Sequence, residues 1–337
     1  MEAFLGDGPP TREAWVFPGQ GSQQVGMGRD LYETYPAAAR LLDEADAVVG
    51  YPLTRLCFEG PEESLQQTTH AQPAIMVVSL ACLAAARAEG ALHGRPAFLA
   101  GHSLGEYTAL VAAGALPFAD ALHLVRERGR FMQEAGERVP GTMAAVMGLP
   151  EEKVAAVCQE SGAELCNLNS PRQAVIGGPL EAVERALELA RARGARHLAR
   201  LNVSGAFHTS LMGPAADAMA EIVARAPVAT ASVPIVANSS AQPVADAAAI
   251  RGELLRQLCR PVLWQRSVEY MVGEGVTGFV EIGPGRVLTS LIRRINGGVK
   301  IWNVGDVASI RRLAEDGITL GGGHEEVQAD RSVGKAT

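Results

Sequence analysis

Paired cysteines, a basic leader and a membrane-length apolar run are all missing from this sequence, and each absence removes a class of protein. The five cysteines, Cys57, Cys82, Cys158, Cys166 and Cys259, lack the short repeated spacings of a disulfide framework or a zinc site. That usage suits a reducing compartment, so a cytoplasmic location is expected and a metal centre is not. Met1–Thr11 is acidic and has no basic stretch followed by an apolar one, which argues against a secretory signal. The longest apolar run, Ala74–Ala86, falls short of the roughly 20 residues of a membrane span and reads as a buried helix. Excess positive charge is missing too. Against 37 acidic side chains stand 30 Lys and Arg, a net charge of −7 that disfavours nucleic acid or an anionic membrane as partner. The arginines that cluster, Arg126, Arg128 and Arg130 in one group and Arg191, Arg193, Arg196 and Arg200 in another, read as solvated helix faces. No internal repeat or low-complexity segment is present, which sets solenoids aside.

What the chain does have is apolar residues, 47% of 337, in a regular alternation. Short strand candidates at Ala14–Phe17, Ala97–Ala100, Pro234–Ala237, Gly278–Ile282 and Lys300–Val304 alternate with longer helical patterns. That is the pattern of an α/β domain with a largely parallel sheet. Between them, Thr142–Met147, Glu151–Ser161, Glu164–Asn167, Ala174–Ile176, Leu180–Arg193 and His197–Leu201 read as strand, helix, strand, strand, helix, strand. This order predicts a ferredoxin-like α+β subdomain over 139–204, inserted into a discontinuous main domain of 12–138 plus 205–320. A cleft is expected between the two parts. From 321 to 337 the chain is polar and irregular and reads as a tail.

Residues 101–105 read Gly-His-Ser-Leu-Gly, directly after an apolar strand candidate and directly before a helix-like run, Glu106–Ala115. Strand, tight turn and helix make a nucleophile elbow, so the main domain is expected to be α/β-hydrolase-like with Ser103 as nucleophile. The N–H of Leu104, at a helix N-terminus, is placed to hold the oxyanion that attack creates. A serine nucleophile needs a base, and seven histidines are available. His102 adjoins Ser103, but neighbours at a sharp turn diverge, and it is expected to pack beneath the elbow. His208 sits in a small-residue loop, Ser204-Gly205-Ala206-Phe207-His208-Thr209, that leaves the inserted subdomain and leads into a helix over Thr209–Ala224. A loop tip at a domain junction can reach a distant serine and act as general base, then general acid. Gly19, Gly21, Gly26 and Gly28 do not form a nucleotide cradle: Gln24 stands where a dinucleotide fingerprint needs glycine, and no Gly-Lys-Ser/Thr follows.

Five motifs now occur in order: Phe17-Pro18-Gly19-Gln20-Gly21-Ser22-Gln23, Gly101-His102-Ser103-Leu104-Gly105-Glu106, Arg128-Gly129 with Met132, Gly205-Ala206-Phe207-His208, and Glu281-Ile282-Gly283-Pro284-Gly285. Together they resemble the malonyl-CoA:acyl carrier protein transacylases from about Ala14 to Ile295, inserted subdomain included. The resemblance implies a second oxyanion donor in the N–H of Gln20, beside that of Leu104. It implies that Arg128 grips the free carboxylate of a malonyl group, which a planar guanidinium can do through two hydrogen bonds. No acidic third member accompanies Ser103 and His208; the resemblance instead assigns the orientation of the histidine to a main-chain carbonyl at Gln257, ahead of Pro261-Val262-Leu263-Trp264. Asp217 and Glu281 are left as ordinary acids. Asn169 resembles a position lining the cleft, and a turn-forming asparagine is the other reading. Phe207 before the histidine goes with malonyl rather than methylmalonyl selectivity, and plain core packing fits it as well.

The implied activity is transfer of malonyl from malonyl-CoA, through a malonyl-serine ester, to the phosphopantetheine thiol of an acyl carrier protein, by ping-pong kinetics. No permanently bound cofactor is expected, since the phosphopantetheine belongs to the partner. Carrier proteins of this kind are acidic, which makes Arg191, Arg193 and Arg196 candidates for a basic rim. The chain is expected to be a monomer. A thioester hydrolase clearing stalled carrier proteins and an inactive docking subunit are the alternatives. The first has no use for Arg128, and the second would be expected to lose Ser103 or His208. Fatty acid and polyketide synthesis use the same chemistry and are not separated by these residues.

Overall fold

The computed structural model describes residues 4–5 and 10–315. The expected tail, 321–337, and the last residues of the expected main domain, 316–320, lie outside the described residues. Ten strands are described: β1 (Glu13–Phe17), β2 (Phe98–Gly101), β3 (Gly141–Met147), β4 (Glu164–Ser170), β5 (Gln173–Pro179), β6 (His197–Arg200), β7 (Ile235–Val236), β8 (Pro243–Val244), β9 (Gly278–Ile282) and β10 (Lys300–Val304). They make a mixed α/β architecture with two separate sheets. In the larger the order is β10-β9-β1-β2-β7-β8, parallel throughout except for β8, which pairs antiparallel with β7.

The sequence of β1 explains why it lies at the centre. Trp15 and Phe17 point into the largest hydrophobic cluster, while Ala14 and Val16 point into a second cluster on the opposite face. Successive side chains of a strand face opposite sides, so an unbroken apolar run is stable only where both faces are covered. The helices Pro36–Val49, Thr68–Ala88 and Phe118–Arg138 contribute to the first cluster, and Trp264–Gly273 and Val287–Ile295 to the second. The helix Thr68–Ala88 begins six residues before the apolar run Ala74–Ala86. By length and composition it could cross a membrane, but 83% of its most apolar window is buried inside the protein. It is the core helix of this domain.

The second sheet is antiparallel with the order β4-β5-β3-β6, and its strands and the helices Glu151–Ser161 and Leu180–Ala192 follow the expected succession. Val154, Val157, Val183 and Ala186 from the two helices close a small core of their own against it. The chain leaves for this unit and returns from it side by side: a Cβ at Gly136 would lie 2.2 Å from the Ser204 carbonyl oxygen. Two backbone hydrogen bonds tie β4 to the main body, Leu168 N–H to Val262 O and Val262 N–H to Cys166 O, both 2.9 Å. This seam carries Asn169 towards the serine elbow.

Strand ends differ from the sequence expectation where the pattern is weakest. Pro234–Ala237 contracts to Ile235–Val236, and β8, two residues beginning with proline, has no readable pattern at all. The helix expected over Thr209–Ala224 splits into a 3-10 turn, Ser210–Met212, and an α-helix, Gly213–Arg225. Glu281, expected as an ordinary acid, is fully buried in β9. Its two carboxylate oxygens accept from Leu288 N–H (2.9 Å) and Thr289 N–H (2.8 Å), so it ties β9 to the first turn of Val287–Ile295. Burial raises its pKa, and those donors oppose the rise.

Candidate active site

Ser103 lies between β2 and the helix Gly105–Ala112, with a backbone φ of 52°. Left-handed geometry at a serine is strained and survives only where surroundings impose it. Two glycines and one asparagine do so here. A Cβ on Gly101 would lie 1.9 Å from the carbonyl carbon of Gly105, and one on Gly105 would lie 2.1 Å from the Phe17 carbonyl oxygen. Asn238, just after β7, clamps the elbow from the side: its Oδ1 accepts from Ser103 N–H and its Nδ2 donates to Gly101 O, each at 2.7 Å. Because Gly105 meets backbone, Gly105→Ala is expected to lower stability by about 3 kcal/mol. Urea denaturation checks this, and a loss below about 1 kcal/mol would contradict the close packing described.

His208 also has left-handed backbone, φ 62°, in the loop before the 3-10 turn. Its Nε2 is 2.8 Å from Ser103 Oγ, and its Nδ1 is 2.7 Å from the Gln257 carbonyl oxygen. A carbonyl can only accept, so Nδ1 carries the proton and Nε2 presents its lone pair to the serine hydroxyl. Burial, then the charge of Arg128, lowers the His208 pKa to about 3, and the Gln257 carbonyl opposes the shift. The imidazole is therefore neutral at neutral pH, and its Nε2 lone pair faces the serine hydroxyl.

The same shift has a consequence for stability. Between pH 6.5 and about 3 the unfolded chain binds a proton on this residue that the folded chain does not, so stability rises with pH across that window. From pH 7 to pH 5 this one group is expected to cost about 2 kcal/mol. His208→Gln is expected to remove that increment, read as the difference between urea midpoints at the two pH values; equal slopes in both proteins would contradict the burial argument.

Arg128, on the helix Phe118–Arg138, is 1% exposed. Its Nη1 donates to Gln72 Oε1 (2.6 Å), and its Nη2 donates to Gln257 Oε1 (2.7 Å) and to Ser103 Oγ (3.1 Å). Its Nε is buried without a partner. Tyr107 lies beneath it, with the ring centroid 5.5 Å from the guanidinium carbon. Among the described residues no carboxylate comes within ion-pair distance of Arg128. Its neighbours behave as surface arginines should: Arg130 pairs with Glu127 and Glu134, and Arg126 with Glu127. A buried guanidinium surrounded by neutral acceptors is costly unless an anion arrives from outside.

The remaining candidates fall around this group. Neither the Gln20 N–H nor the Leu104 N–H donates to another residue among those described. Asn169 lies in β4 rather than in a turn, 8% exposed, and its Oδ1 accepts from His102 Nε2 at 2.9 Å. His102 is accordingly not tucked under the elbow; half-buried, it packs against Trp264 and reaches across to the second sheet. Burial lowers its pKa, and the bond to Asn169 opposes this. Phe207 is 5% exposed and belongs to the largest hydrophobic cluster. A cavity of about 910 Å³ lined by Arg40, Arg87 and Phe118 includes none of these residues. Among the described residues no group of three or more His, Cys, Asp or Glu side chains is placed to hold a metal.

Two residues of the network, Gln72 and Asn238, carry no local sign of their role in the sequence, and a third, Glu106, which accepts from Gln257 Nε2, carries a faint one. Gln72, before Pro73 in the core helix, and Asn238 are polar residues at the ends of apolar runs. Glu106 is the lone acid of the helix Gly105–Ala112, a signal of a kind, since an acid in an otherwise apolar buried run must have partners.

With this geometry in place, comparison with known proteins is informative. The sequence profile of the family described as acyl transferase domain matches residues 14–313. The malonyl CoA-acyl carrier protein transacylase of Bacillus subtilis is 46% identical over 305 residues, covering 89% of this chain and 95% of that protein. A crystal structure of an acyl carrier protein S-malonyltransferase from Vibrio cholerae superposes with a TM-score of 0.86 at 42% identity, covering 90% of this chain and all of that one. A malonyl-transacylase solved in complex with its type II PKS acyl-carrier protein superposes with a TM-score of 0.87 at 41% identity, covering 90% of this chain and 99% of that one. At such identity and coverage, over a span that holds every residue of the network just described, the chain belongs to the acyl transferase domain family, among its malonyl CoA-acyl carrier protein transacylases.

Proposed function

We propose that this chain transfers a malonyl group from malonyl-CoA to the phosphopantetheine thiol of an acyl carrier protein, in fatty acid or polyketide biosynthesis. One observation carries the reading: a buried arginine without a carboxylate partner donates to the hydroxyl of the serine that faces a neutral histidine. A hydrolase of simple acyl groups needs the serine and the histidine, but it gains nothing from a charge buried at this cost.

Malonyl-CoA binds with its free carboxylate on Arg128. Ser103 Oγ attacks the thioester carbon while its proton passes to His208 Nε2, and the Gln257 carbonyl steadies the imidazolium through Nδ1–H. The N–H groups of Gln20 and Leu104 hold the oxyanion. When the tetrahedral centre collapses, the carbon–sulfur bond breaks and His208 returns the proton to the CoA thiolate, leaving malonyl on Ser103 as an ester. The carrier thiol then enters, gives its proton to His208, and takes the malonyl group by the reverse steps.

In this reading the larger sheet and its helices are an α/β-hydrolase-like domain, 12–138 plus 205–315 among the described residues, and 139–204 are a ferredoxin-like subdomain that forms the other wall of the cleft, Asn169 included. Phe207 crowds an α-methyl branch and favours malonyl. Arg191 and Arg196 are exposed and suit a rim for an acidic carrier, whereas Arg193 is engaged with Glu160. The protein works as a cytoplasmic monomer with no resident cofactor. Initial rates with malonyl-CoA and a phosphopantetheinylated carrier protein both varied test it: parallel double-reciprocal lines are expected, and intersecting lines would overturn the acyl-enzyme route.

A further inference from the structure

The neutral acceptors around Arg128 are themselves held by an acid that the mechanism above leaves unused. Gln257 is fully buried at the end of the helix Ala247–Arg256. Its Oε1 accepts from Arg128 Nη2, and its Nε2 donates to Ser103 O (2.8 Å) and to Glu106 Oε2 (2.6 Å). The second oxygen of Glu106 accepts from Asn238 N–H at 3.2 Å. One amide therefore stands between the arginine and the carboxyl, donor end towards Glu106 and acceptor end towards Arg128. An amide in a pocket of donors and acceptors takes the orientation its neighbours demand. Here Arg128, which can only donate, draws the amide oxygen, while the Ser103 carbonyl and Glu106, whose two oxygens both accept, draw the NH2.

We propose that Glu106 is a positioning residue for acyl selectivity: it fixes the Gln257 amide with its carbonyl towards Arg128, so that Arg128 is oriented without being neutralised and keeps its charge for the carboxylate of the incoming acyl group. The inference rests on the transfer reading above and deepens it. A direct Glu106–Arg128 pair would satisfy both side chains and leave malonyl to compete with an internal anion; the interposed amide prevents this. Burial and the nearby Glu253 raise the Glu106 pKa, while the donors from Gln257 and Asn238 and the charge of Arg128 oppose the rise. Glutamine cannot substitute. Its NH2 would face either the Asn238 N–H or the Gln257 NH2, and in the second case the Gln257 amide would have to turn its own donors on Arg128.

The test compares acylation of Ser103 by malonyl-CoA and by acetyl-CoA, read by intact mass in quenched samples, in wild type, Glu106→Gln and Glu106→Asp. In Glu106→Gln the malonyl-to-acetyl rate ratio is expected to fall about tenfold or more, with acetyl acylation within about threefold of wild type. Glu106→Asp, which keeps two acceptor oxygens, is expected to retain more of the ratio. A ratio unchanged in Glu106→Gln, or malonyl and acetyl rates falling in parallel, overturns the inference. Should Glu106→Gln not fold, Gln257→Glu decides from the other side: it sets a carboxylate against Arg128, and an unchanged ratio there overturns the inference equally. A wild-type chain that takes no malonyl on Ser103 sinks the transfer reading itself, which keeps the two failures apart.

Discussion

Replacing Ser103 by alanine is expected to slow malonyl transfer to a carrier protein by about 10⁴-fold or more. The size follows from what remains. His208 would face a methyl group, and Arg128 would still hold its contacts with Gln72 and Gln257. The backbone N–H groups of Gln20 and Leu104, proposed above as the oxyanion donors, would persist, but no covalent intermediate could form on residue 103. Direct transfer between two thiols would then require both bulky substrates in a site that otherwise takes them in turn. The fold should persist, because the left-handed turn is held by Gly101, Gly105 and Asn238, none of which touches the hydroxyl. The check is the steady-state rate of carrier malonylation beside a urea denaturation curve. A folded variant within about tenfold of wild type would mean that the chemistry runs elsewhere.

Arg128→Ala is expected to change which acyl group is used rather than abolish acylation. Malonyl acylation should fall by about a hundredfold or more, as removal of one partner from a buried, hydrogen-bonded charge pair commonly does. Acetyl acylation should fall far less, so the preference narrows or reverses. Two secondary effects identify the cause. Arg128 is the second contributor, after burial, to the low pKa of His208, so its loss should move the acid limb of the acetyl acylation profile to higher pH. The variant should also lose stability, since Gln72 Oε1 and Gln257 Oε1 would be buried without donors. Equal losses for malonyl and acetyl, with the acid limb unmoved, would remove Arg128 from the account.

Much of this site was readable in the sequence where its parts are neighbours along the chain. Gly101 to Gly105 announce the turn because the same five residues that form it also prevent any bulkier choice. The two sheets were readable for a similar reason: a continuous apolar run such as Ala14–Phe17 requires cover on both faces, and the strand–helix order of residues 141–200 constrains its own pairing. Strands of two residues carry no period, so β8 was invisible. Arg128 stood out only through its resemblance to a family position, because nothing about Arg126, Arg128 and Arg130 as a string says which one turns inward. Gln72 and Asn238 were silent in their roles, and Glu106 showed only that it must have partners, because those partners are far along the chain; the bond from Gln257 to Ser103 spans 154 residues. His102 and Asn169 show the same limit from the other side. Each has a sensible local reading, beneath the turn and within a turn, and the hydrogen bond between them displaces both.

The measurement closest to the central claim follows one malonyl group through the whole cycle. Wild-type protein is mixed with a single equivalent of malonyl-CoA, quenched for intact mass, and then, in a parallel sample, given phosphopantetheinylated carrier protein. The account predicts one malonyl group on the chain, mapped to Ser103, that is stable in buffer over the time of a turnover and moves to the carrier as soon as the thiol is added. An adduct that appears and is lost to water as free malonate at the same rate with or without carrier would contradict transfer and leave a hydrolase.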